Sequence, residues 1–124
     1  MSAEERDVAA AFTVVLSQLG GGGSTRFVAG SGLSDATRRA LRTVRPIVEV
    51  GEVAGLSPKS AAGLPAGYFL VYSFTVTGNV ASFEGTAGPV PAGPPNLNCG
   101  TGYLIELARV AGGWKIGKSS VIQC

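Results

Sequence analysis

The chain has 124 residues, 45% hydrophobic and only 15% charged, with a formal net charge of +2. That suits one domain with a single core and a surface of small, mild residues, and the charge is too weak to suggest nucleic acid by itself. Histidine is absent and there are two cysteines; this excludes Ser-His-Asp and Cys-His hydrolases, histidine acid–base work and a four-ligand zinc site within the chain.

No run of about 18 apolar residues occurs, so no membrane-spanning helix is expected. The opening "MSAEERDVAAAF" is acidic and lacks the basic segment of a signal peptide. It fits a cytosolic protein or a soluble domain excised from a longer chain with an added Met.

In chain order, Ser2 and Glu5 form an S-x-x-E capping box ahead of Val8, Phe12, Val15, Leu16 and Leu19, the stripe of an amphipathic helix. The spacing predicts a helix over about 3–19, ended by the glycines at 20–23. "STRFVAGSGL" reads as irregular, with Phe27 and Val28 tucked against the core. Ser34 caps a second helix over about 34–45, with Leu41 and Val44 inward, and Pro46 stops it.

From there the period changes to two. Ile47 to Val53 alternates as a first strand, and "GLSPKSAAGLPAG" reads as a loop. Tyr68 to Gly78 is a long second strand, with Tyr68, Leu70, Tyr72, Phe74 and Val76 on one face and Phe69, Val71, Ser73, Thr75 and Thr77 on the other. "TGYLIELARV" and "GWKIGKSSVIQ" follow as a hairpin about Gly112-Gly113. Between the second and third strands lies a Pro/Gly-rich excursion over 79–101. Its part "AGPVPAGPPNLNCG" carries four of the seven prolines, and "VASFEGTAG" has a little strand character. The expected class is α+β: one domain over 1–124, with the two helices packed on a curved four-stranded antiparallel sheet over about 46–123.

This pattern resembles the cystatin-like and nuclear-transport-factor-2-like folds, and "YLIELARVAGGWKIGKSSVI" looks like the last hairpin of that superfamily. "LGGGGSTRFVAGSGL" followed by "PIVEVGEVAG" is similar to TcpC-type conjugative-transposon proteins. Those proteins share their fold with the extracytoplasmic domain of the type IV secretion inner-membrane scaffold. The resemblance implies a non-enzymatic extracytoplasmic domain that helps assemble a conjugation or secretion channel through protein–protein contacts or self-association. No cofactor is expected, and no directly bound nucleic acid, since the arginines have no interleaved aromatics to stack on bases. Contact with a membrane would come only through an anchor absent from this chain.

Pairing of the last two strands sets Tyr103 opposite Val121 to Ile122 and brings Cys99 near Cys124. A disulfide is expected there, with two free thiols as the alternative. A bridge closing about 25 residues would contribute roughly 3 kcal/mol and implies an oxidising compartment.

The expected partner surfaces are the sheet face with Phe69, Val71 and Thr75, and the excursion with Val90, Pro91, Pro94, Pro95 and Leu97. Arg38, Arg39, Arg42 and Arg45 form a basic helix side suited to an acidic partner or to plain solvation. The residues available for an isomerase-type site are Tyr68, Tyr72, Tyr103, Glu106 and Asp35. Alternation sets Glu106 on the face opposite Tyr103, Ile105 and Leu107, so no carboxylate is clearly inside and no catalytic residue is assigned. The glycine runs lack the Gly-Lys-Ser/Thr ending of a phosphate loop. The rival role is a secreted small-ligand binder of the same fold, suited by the Gly/Ala/Val-heavy composition to an actinobacterial host.

Overall fold

Helix α1 (Ala3–Leu19) begins where the Ser2 hydroxyl accepts the Glu5 amide at 3.1 Å, and it buries Val8, Ala11, Phe12 and Val15. This is the computed structural model of the chain, and it describes residues 2–19, 25–56, 61–90 and 101–122. Helix α2 (Asp35–Val44) starts at the predicted cap, where Ser34 accepts the Thr37 amide. It ends one residue short of Arg45, whose extended backbone leads into Pro46.

The fold is α+β, with two helices and six strands in one mixed sheet of order β2-β1-β3-β4-β5-β6. The strands are β1 (Arg26–Ala29), β2 (Ile47–Glu49), β3 (Tyr68–Thr77), β4 (Val80–Ala87), β5 (Thr101–Val110) and β6 (Gly113–Ile122). Strand β1 runs parallel to both neighbours, β2 and β3. From β3 to β6 every pairing is antiparallel.

Four features depart from the sequence expectation of a four-stranded antiparallel sheet, each for a physical reason. Strand β1 lies inside "STRFVAGSGL", where Phe27, Val28 and Ala29 are all buried. A strand covered on both faces shows no alternation. The strand expected over 47–53 stops at Glu49, because Val50–Glu52 winds into a short 3-10 turn with Glu49 and Glu52 capping each other reciprocally. The first part of the excursion is the full strand β4, joined to β3 by the two-residue turn Gly78-Asn79 with Gly78 at φ +62°. Strands β3 and β5 therefore do not pair directly, since β4 lies between them.

The fourth departure is a β-bulge in β3 between Val71 and Ser73. An inserted residue reverses which face later side chains take. Phe69 and Val71 therefore share the helix-facing core with Phe74 and Val76 rather than opposing them.

Two hydrophobic clusters sandwich the β2-β1-β3 half of the sheet. The larger joins Phe12 and Val15 of α1 and Leu41 of α2 to Phe27, Phe69, Phe83, Ile105 and Leu107. The smaller lies on the opposite face, where Leu56, Ala61, Leu64 and Val90 cover Val28 and Leu70. Hydrogen bonds from the Val90 amide to the Leu64 carbonyl (2.8 Å) and from the Gly63 amide to the Val90 carbonyl (3.0 Å) hold that cover down. On the outer side of β4, β5 and β6, Glu84, Leu104, Glu106, Lys118 and Ser120 are exposed.

Candidate functional surface

The bulge and the second cluster decide which of the expected contact residues can meet a partner. Phe69 and Val71 are 3% and 0% exposed; they belong to the core and are not a docking face. Thr75 is exposed beyond the bulge. Val90 is buried in the smaller cluster, so it too is structural. Pro91, Pro94, Pro95, Leu97, Cys99 and Cys124 lie outside the described residues.

The four arginines tie α2 to the rest of the molecule. Arg38 Nη2 donates to the Gly30 carbonyl at 2.8 Å. Its Nε lies 3.1 Å from Glu49 Oε1, close enough for an ion pair but without hydrogen-bond alignment. Arg42 also pairs with Glu49, while Arg39 reaches Glu5 on α1 at 3.4 Å. Arg45 donates to the Thr25 carbonyl at 3.2 Å, its guanidinium 5.0 Å from the Phe27 ring centre. An acidic partner would have to compete with contacts already made.

Of the residues considered for catalysis, Tyr68 and Tyr103 line one cleft and the others lie elsewhere. Glu106 is exposed on the outer face, in register with Lys118 of β6, and Asp35 lies at the start of α2 with its side chain 88% exposed. Tyr68 and Tyr72 pack beside the smaller cluster. Tyr103 does face the helix side, its ring centre 5.6 Å from that of Phe69, as alternation along β5 implies. It borders an open cleft of about 200 Å³, lined by Leu19, Thr25, Phe27, Phe69 and Ala87 among others. Among the described residues no carboxylate lines this cleft. A second cleft of about 300 Å³, near the starts of both helices, has Glu4 and Thr37 in its lining. Among the described residues no group of three or more His, Cys, Asp or Glu could hold a metal, and no helix is long and apolar enough to cross a membrane.

Asp7 and Arg109 form a bidentate charged contact that links α1 to β5. Arg109 donates from Nη1 to Asp7 Oδ1 at 3.2 Å and from Nη2 to Oδ2 at 2.9 Å. It also donates to the Gly78 carbonyl at 3.2 Å and stacks 4.4 Å from the Trp114 ring centre. The hydrogen bond from Arg109 holds the Asp7 carboxyl below its ordinary 3.8, outweighing the desolvation that pushes it up. A depressed folded-state pKa contributes stability in full above the unfolded value and loses it as pH falls through the folded one. Asp7→Asn is therefore expected to lower Tm by a few degrees at neutral pH and to narrow its deficit below about pH 4. Thermal melts across that range check this, and an unchanged acid limb would contradict it.

The surface that the sequence reading overlooked is the free edge of β6. This ten-residue strand ends the sheet, and among the described residues nothing pairs with its outer side. Lys115, Lys118 and a bulge opposite Glu106/Leu107 interrupt its first part, devices that discourage strand addition. Ser119 to Ile122 carries no charge and no proline. There Val121 and Ile122 are 52% and 69% exposed, and Leu104 of β5, opposite Ser120, is 43% exposed. The uncharged "SSVI" in the last predicted strand was the available signal. No protein-family model matches the chain, and no curated protein or solved structure is significantly similar to it.

Proposed function

We propose that this chain is a non-enzymatic extracytoplasmic assembly domain of a conjugation or type IV secretion-like channel, acting through protein–protein contacts made at the β6 edge. The observation that carries this reading is the uncharged end of β6, which no described residue pairs with on its outer side and where Val121 and Ile122 are exposed. An open strand offers backbone donors and acceptors to an added strand, and flanking apolar side chains give such pairing its grip. Among the described residues no carboxylate lines the Tyr103 cleft, which favours docking over catalysis.

The superfamily reading, cystatin-like or nuclear-transport-factor-2-like, is part of the same proposal. It draws support from the element order: a 17-residue first helix, a short second helix, then the antiparallel run β3 to β6 closing on the hairpin "YLIELARVAGGWKIGKSSVI". The fully paired β5–β6 hairpin agrees with that resemblance better than the three-residue β2 does.

The test joins compartment to contact. Protein taken from its own cells under alkylating conditions is expected to have no free thiol if the compartment is oxidising; two free thiols per chain argue for a reducing one. Ile122→Lys is expected to release the chain from envelope complexes while leaving its melting temperature within about a degree of wild type, as suits an exposed site. Complexes that survive this substitution unchanged would remove β6 from the account.

A further inference from the structure

We draw no further inference here: the strongest candidate, the cleft of about 300 Å³ between the starts of both helices and the edge of β3 over 73–77, which β1 does not reach, carries nothing because nothing in the structure shows what covers it.

Discussion

Phe12→Ala is expected to cost about 3–5 kcal/mol, the range for emptying a fully buried aromatic site. Phe12 is 0% exposed and meets two strands edge-on, its ring centre 5.7 Å from Phe27 of β1 and 6.0 Å from Phe74 of β3. It thus fastens α1 to the sheet on both sides of the β1–β3 pairing. Small domains hold only about 5–15 kcal/mol in total, so the variant should be marginally folded at best. Urea unfolding measures the loss, with Val80→Ala as the control. Val80 is 52% exposed, so that change should stay within about 0.5 kcal/mol. A cost below about 1 kcal/mol for Phe12→Ala would mean that α1 does not pack as described.

Gly85→Ala is expected to be clearly destabilising although it adds only one carbon. Gly85 lies in β4 between Val71 of β3 and Tyr103 of β5. A Cβ there would fall on the Phe69 ring and within 2.7 Å of the Leu70 carbonyl oxygen. The ring has little room to yield, since Phe27, Phe83 and Tyr103 surround it at centre distances of 5.5, 5.8 and 5.6 Å. Overpacking against backbone and a fixed ring should cost about 1–3 kcal/mol. Gly102→Ala provides the comparison, because a Cβ on Gly102 comes no closer than 3.8 Å to Ile122 and makes ordinary contacts. That change is expected to be neutral or slightly stabilising, since glycine in a strand interior forfeits backbone entropy. Equal losses at both positions would refute the described β3–β4 register.

These two positions also mark what was readable in the sequence. Helix α1 was legible because the cap at Ser2 and the stripe through Val8, Phe12 and Val15 are local signals that agree. Helix α2 was legible for the same reason, through Ser34. The β5–β6 hairpin was legible down to register, with Tyr103 opposite Val121, although its turn is Ala111-Gly112 rather than Gly112-Gly113. What stayed hidden depends on tertiary neighbours. Strand β1 has no period because both its faces are covered. Strand β4 was masked by its glycine and by the prolines that follow it, although Gly78-Asn79 is an acceptable hairpin turn.

The bulge in β3 had the largest functional consequence. One inserted residue turned an expected docking face, Phe69 and Val71, into core. Alternation in "YFLVYSFTVTG" gives no sign of the shift, because the row Tyr68, Leu70, Tyr72, Phe74 and Val76 is apolar without a break. The proposed contact surface lies instead at the end of β6, where exposure depends on which strand the topology leaves outermost. That the arginines of α2 are occupied by Glu5, Glu49 and backbone carbonyls was likewise beyond sequence spacing, since those partners come from α1, from β2 and from the residues flanking β1.

The most direct test of a docking edge at β6 is site-specific photocrosslinking in the native cell, with the photoreactive residue at Ile122 and, as the control, at exposed Thr75 on β3. The account predicts adducts from position 122 to an envelope protein or to a second copy of the chain, and none from position 75. Adducts from position 75 with none from position 122 would contradict it.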